Sequence, residues 1–74
     1  MGKLPVVSGK ETVRALNKIH YEVDHQKGSH IILRLNIHPL RRVTIPNHKE
    51  IAKGTLRAII KECGLTVDEF INLL

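Results

Sequence analysis

Residues 21–37 read YEVDHQKGSHIILRLNI, and the way this stretch pairs with itself decides the fold. On both sides of Gly28 the sequence takes up a period of two. Tyr21, Val23 and His25 alternate with Glu22, Asp24 and Gln26; Ile31, Leu33, Leu35 and Ile37 alternate with His30, Ile32, Arg34 and Asn36. That period marks half-buried strands, and glycine supplies the positive φ that a tight reversal needs. The stretch therefore predicts a β-hairpin. A two-residue Gly28-Ser29 turn would set Ile31 opposite Gln26 and Leu33 opposite Asp24, bringing carboxylates to the apolar face. A three-residue loop, Lys27-Gly28-Ser29, sets Leu33 opposite Val23 and Leu35 opposite Tyr21, so both strands agree on a core side. The three-residue loop is the expectation. It directs His30 away from the core beside Gln26, pairs Arg34 with Glu22 and leaves His25 half-buried on the core face.

Upstream of the hairpin, Pro5 keeps the lead-in extended, and Ser8 stands three residues before Glu11, the spacing of a capping box. A helix is expected from about Gly9, with Val13, Leu16 and Ile19 or His20 inward. Lys10, Arg14 and Lys18 then form a separate basic ridge at i, i+4, i+8. Downstream, His38-Pro39-Leu40 predicts the second reversal. Val43 and Ile45 follow on the inward face, matched to Leu35 and Leu33, with Arg42 and Thr44 outward. Pro46 ends the sheet and residues 47–50 make a polar connection. An amphipathic helix from Gly54 or Thr55 to Cys63 is capped by Gly64. Thr66 and Glu69 repeat the capping-box spacing, so a short last helix should bring Phe70, Ile71 and Leu74 over the core. The prediction is an α+β fold of order α-β-β-β-α: a three-stranded antiparallel sheet, helices packed on one face, and a short extra C-terminal helix.

The chain has 74 residues, expected to form a single domain over 1–74 with one modest core, so any site must lie on the surface. Twelve Lys and Arg against seven Asp and Glu give a net charge of +5, which favours a polyanionic partner. With no Trp, one Tyr and one Phe, the chain lacks the aromatic platforms of single-strand binders, and a shape and phosphate reader of folded RNA fits better. Cys63 is the only cysteine, so an intrachain disulfide is excluded; its spacing with Leu56, Ile59 and Ile60 puts it in the core. No apolar run reaches membrane-spanning length and no signal-peptide region is seen. The Met1-Gly2 start is no myristoylation signal, because Val6 stands where Ser or Thr is needed. A cytoplasmic location without membrane contact is expected.

Five histidines raise the question of zinc, but no His-x₃-His pair or Cys and His cluster occurs, so neither metal nor cofactor is expected. His30 is the candidate general base or acid, since imidazole exchanges a proton near neutral pH and this one projects from the hairpin rather than into the core. Lys27 is the nearest cation, and Ser29, beside Gly28, offers a hydroxyl to a phosphate oxygen. RNA carries its own nucleophile, the 2′-hydroxyl, so proton transfer and a few cations suffice to cleave it. His48, in the connection before Lys49 and Lys53, serves either to orient that loop or to contact substrate. His20, His25 and His38 are read as structural.

The α-β-β-β-α order in a small basic chain is the plan of the double-stranded RNA-binding domain. Leu4-Pro5 before Ser8-Gly9-Lys10-Glu11, then Gln26-Lys27-Gly28-Ser29-His30, Val43-Thr44-Ile45-Pro46-Asn47-His48, Lys53-Gly54-Thr55-Leu56 and Ile59-Ile60 resemble more closely the HicA toxin family, also called YcfA-like proteins. The resemblance implies an mRNA interferase, a toxin that cleaves mRNA and is held inactive by a HicB-type antitoxin, with the family's catalytic histidine falling on His30. Two departures stand out. The glycine-phenylalanine pair usual after the first helix is His20-Tyr21, and Ile31-Ile32 follow His30 where many members have polar or aromatic residues. On the residues alone, a non-catalytic RNA-binding module using Lys10, Arg14, Lys18, Lys27, Lys49 and Lys53 and an adaptor for an acidic protein also stay open.

Overall fold

The computed structural model describes residues 3–74, the Pro39 side chain excepted, so the reading of the Met1-Gly2 start lies outside the described residues. In chain order the elements are α1 (Gly9–Asn17), β1 (Tyr21–Lys27), β2 (His30–Leu35), β3 (His38–Pro46), α2 (Lys53–Glu62) and α3 (Val67–Leu73). The strands form one antiparallel sheet in the order β1-β2-β3. The expected α+β plan is the observed one, with Ile31, Leu33, Val43 and Ile45 buried on one side of the sheet beneath the helices.

Both capping boxes are present. The Ser8 Oγ accepts the Glu11 N–H at 3.0 Å while the Glu11 carboxylate accepts the Ser8 N–H at 2.9 Å. Thr66 and Glu69 repeat the exchange at 3.1 and 2.8 Å. Each box satisfies donors that a helix start leaves without partners. Helix α1 buries Val13, Ala15 and Leu16 and keeps Lys10, Arg14 and Lys18 exposed. Leu16, Leu33, Ile45, Leu56 and Phe70 are wholly excluded from solvent; each such side chain stabilises the fold by about 1.5–3 kcal/mol. Helix α2 starts at Lys53, a residue before expectation, and ends at Glu62, with Gly64 at φ 72 beyond it. Cys63 is only partly buried at the core's margin. Leu74 does not cover the core: it is 49% exposed, and Leu73 packs there instead.

The first hairpin differs from expectation in an instructive way. Its turn is the two-residue Gly28-Ser29, with Gly28 at φ 59 and Ser29 without positive φ, the pattern of a type II′ turn. Lys27 therefore pairs with His30, Gln26 with Ile31 and His25 with Ile32. At the other end Val23 pairs with Leu33, Glu22 with Arg34 and Tyr21 with Leu35, as expected. A β-bulge at Asp24 reconciles the two ends. One extra residue there sends both Asp24 and His25 to the open face, so no carboxylate is buried. His25 is consequently exposed rather than half-buried, its Nδ1 3.0 Å from Asp24. Arg34 joins Asp24 at 3.7 Å and Arg42 does so at 3.5 Å, in place of the expected Arg34–Glu22 pair. Val23 on the edge strand stays 50% exposed.

The second reversal falls at residues 36–37, two positions before the expected His38-Pro39-Leu40 turn. Strand β3 pairs Leu35 with His38, then Arg34 with Arg42, leaving residues 39–41 as an irregularity that absorbs a proline unable to donate to the ladder. Val43 is thereby opposite Leu33 and Ile45 opposite Ile31, two residues from the expected register but still facing the core.

Residues 47–52 are more than a polar connection. Ile51 is buried and its N–H donates to the Val7 carbonyl at 2.9 Å, while the Gly9 N–H donates to the His48 carbonyl at 2.9 Å. A side chain on Gly9 would run into the Pro46 carbonyl and come within 2.9 Å of the Asn47 Cα. The start of α1 and this loop thus touch backbone to backbone.

Candidate active site

His30 opens the central strand, between Lys27 on one neighbour and Pro46 on the other. Directly opposed residues in a ladder have Cβ atoms about 4.5–5.5 Å apart and share a face. The two-residue turn therefore makes Lys27 the direct cross-strand partner of His30, with both side chains leaving the sheet on the same face. Both are exposed on the side of the sheet away from the core. The tip is fixed from three directions. Gln26 Nε2 donates to the Gly28 carbonyl at 3.2 Å, the β1–β2 ladder holds Lys27, and the Asn47 N–H donates to the Ser29 carbonyl at 2.6 Å.

That last bond joins the hairpin tip to the loop carrying His48. Between them lies a shallow cavity of about 320 Å³ lined by His30, Thr44, Pro46, His48, Ala52 and Thr55. Ala52 and Thr55 belong to the start of α2, whose first turn has neither an acidic residue nor a side-chain cap. Its N–H groups and positive dipole end therefore face this side and favour an anion. On the far side of His48 a second depression is bounded by Ser8, Lys10, Asn47 and Lys49. His48 forms the wall between the two.

Lys10, Lys27, Ser29, His30, His48 and Lys49 thus gather at one end of the molecule, with Lys53 adjoining at the first residue of α2. Arg14 sits farther along α1, over an apolar depression formed by Val13, Val23 and Ile31. Lys18 does not join the cluster; it lies beside Leu73 and Leu74. Among the described residues no group of three or more His, Cys, Asp or Glu stands close enough to hold a metal ion. No helix among them is long and apolar enough to cross a membrane.

The HicA toxin model, described as the HicA toxin of bacterial toxin-antitoxin systems, matches residues 9–65. The chain belongs to this family. As a HicA toxin it takes the toxin role of such a pair, and an antitoxin is its partner. Comparison with curated proteins gives no match.

Sequence reasoning missed several parts of this HicA surface. Thr44 and Thr55 place hydroxyls around the His30 cavity; only the outward phase of Thr44 in its strand hinted at this. The Asp24 cluster on the open face was also missed. The Asp24 carboxyl is held below the usual carboxylate range, first by the His25 hydrogen bond and then by Arg42. One carboxylate there organises two guanidinium groups.

Proposed function

We propose that this HicA toxin is an endoribonuclease that cleaves mRNA by histidine acid–base catalysis without a metal ion, and that a HicB-type antitoxin neutralises it. The observation that carries the proposal is the exposed His30 imidazole in a rigid ladder beside Lys27, at the mouth of a cavity edged by the positive end of α2. An imidazole so placed can move the 2′-hydroxyl proton or protonate the leaving oxygen. Lys27 and the α2 end stabilise charge that develops on the phosphate. The ribose supplies the nucleophile, so no metal-bound water is required. Lys27, Gly28 and Ser29 at the tip, with Lys10, His48, Lys49 and Lys53, hold the RNA; Arg14, farther along α1, and Lys18, beside Leu73 and Leu74, stand apart from this surface. Residues 1–74 act as one mRNA interferase domain, in the cytoplasm where mRNA is found.

The test is cleavage of a labelled mRNA in EDTA by the wild type and by His30→Ala, once circular dichroism shows the variant folded. The wild type should leave 2′,3′-cyclic phosphate ends. The variant should lose about 10² to 10⁴ in rate and keep most of its RNA affinity, because that comes from distributed cations. A folded variant that cuts at the wild-type rate overturns the assignment of His30. A wild type that binds RNA and never cuts it is instead a double-stranded RNA-binding module. For the antitoxin, the simplest way to silence a shallow site is to cover it. Hydrogen exchange on complex formation should protect residues 27–30, and an unprotected tip would mean inhibition from a distance.

A further inference from the structure

We infer that His48 is the second proton-transfer group, acting across the cavity from His30. This rests on the RNA-cleavage reading above. Transphosphorylation needs two proton movements on opposite sides of one phosphorus: a base takes the 2′-hydroxyl proton as the O2′–P bond forms, and an acid gives a proton to the 5′-oxygen as the P–O5′ bond breaks. One imidazole starts neutral and ends protonated, and the other starts protonated and ends neutral. Solvent exchange restores both, so no further reactant is consumed.

The structure presents two imidazoles for these two tasks. His30 and His48 line the same cavity, one from the end of a strand and the other from the facing loop. Both side chains are exposed, so neither is engaged in packing. The cavity, about 320 Å³, is of a size to admit a phosphodiester and part of its sugars, and Thr44 and Thr55 offer hydroxyls to the phosphate oxygens. His48 is held by three backbone constraints. Its own carbonyl accepts the Gly9 N–H, the preceding Asn47 N–H is bonded to Ser29 beside His30, and Ile51 anchors the loop in the core. The Ser29 bond ties the residue before His30 to the residue before His48, so the two backbones that carry the imidazoles are held to each other across the cavity.

The test uses an oligoribonucleotide spanning a wild-type cut site, made once with the natural linkage and once with sulfur replacing the bridging 5′-oxygen. His48→Ala and His48→Gln, both folded, should lose about 10² to 10⁴ in kcat with little change in KM. A bell-shaped pH–rate profile in the wild type should lose one limb in each histidine variant. The sulfur substrate, whose thiolate leaves without an acid, should restore cleavage by whichever variant lacks the acid and leave the other inactive. The inference is overturned if His48 variants keep the wild-type kcat and both limbs while only KM rises, which makes His48 a substrate holder. It is overturned also if the sulfur substrate rescues neither variant. Failure of the wild type to cut either substrate sinks the RNA-cleavage reading itself, a distinct result.

Discussion

His20 adopts φ 76, a left-handed conformation in which the Cβ of an L-residue meets the following carbonyl. It lies where the α1 end turns into β1, and its own carbonyl accepts the Asn36 N–H at 2.7 Å, so the turn cannot relax without releasing the second hairpin. Left-handed geometry costs about 1–2 kcal/mol, and glycine returns part of that as unfolded-chain entropy. His20→Gly should therefore stabilise the protein by about 0.5–1 kcal/mol, read as a higher melting midpoint at about 4–8 °C per kcal/mol for a chain of this size. A lower midpoint would show that the imidazole makes a contact stronger than the strain. Its neighbour Tyr21 is buried, and loss of hydration, followed by the adjacent Cys63, pushes the phenol up to about 12. Folding thus favours the neutral phenol. The resulting stability is complete below pH 10, the unfolded value, and is lost as pH rises through the folded value near 12. Tyr21 is the only tyrosine and there is no tryptophan, so its phenolate absorbance reports one group. The absorbance should rise only near pH 12 in the folded protein and near 10 in denaturant. A folded-state transition at 10 would show that the ring is hydrated.

At the level of elements, the bulge in β1 yields a prediction that a regular hairpin would not. With Asp24 deleted, Val23 still meets Leu33 and Lys27 still meets His30, because the bulged residue is the one surplus position between them. A protein lacking Asp24 should keep a cooperative melt, whereas deletion of Ser29 should abolish it by leaving one residue to close a two-residue turn. If the Asp24 deletion unfolds the protein, its ties to Arg34 and Arg42 matter more than register. This hairpin also shows what could be read beforehand. Tyr21, Val23, Leu33 and Leu35 admit one apolar pairing, so that end was legible. Asp24, His25 and Gln26 are all polar, so alternation could not say which was surplus, and the wrong turn length followed. In α3 the capping box was plain, and Phe70 lies wholly inside the core although the family match ends at residue 65. Phe70→Ala should cost about 3–5 kcal/mol in denaturant melts; a loss under 1 kcal/mol would mean that α3 docks loosely.

On the scale of the whole molecule, the chain measures 31 × 26 × 17 Å and carries a net charge of +5. Four of its lysines, Lys10, Lys27, Lys49 and Lys53, fall at the end bearing His30. If each neutralises one phosphate of single-stranded RNA, log affinity should fall with log salt at a slope of about −3, and Lys49→Ala should reduce that slope by about 0.7. A slope unaffected by Lys49→Ala would place the RNA elsewhere. The basic character of the chain was legible in its composition, and the outward direction of His30 in its place beside a glycine turn. The meeting of His30 with His48 was not, because the path of residues 47–52 is set by bonds to Val7 and Gly9 that are distant in sequence.

The backbone contact at Gly9 bears on how such a toxin gene decays. Cells that outlive unopposed expression are those in which the toxin has failed, and the mutations they carry map the positions it cannot do without. Gly9 touches no substrate in the proposal above, yet even a methyl group there would prise the Pro46–Asn47 backbone away and shift His48 with it. Among survivors of random mutagenesis, Gly9 substitutions should recur about as often as changes at His30, and their products should accumulate as folded protein with displaced chemistry.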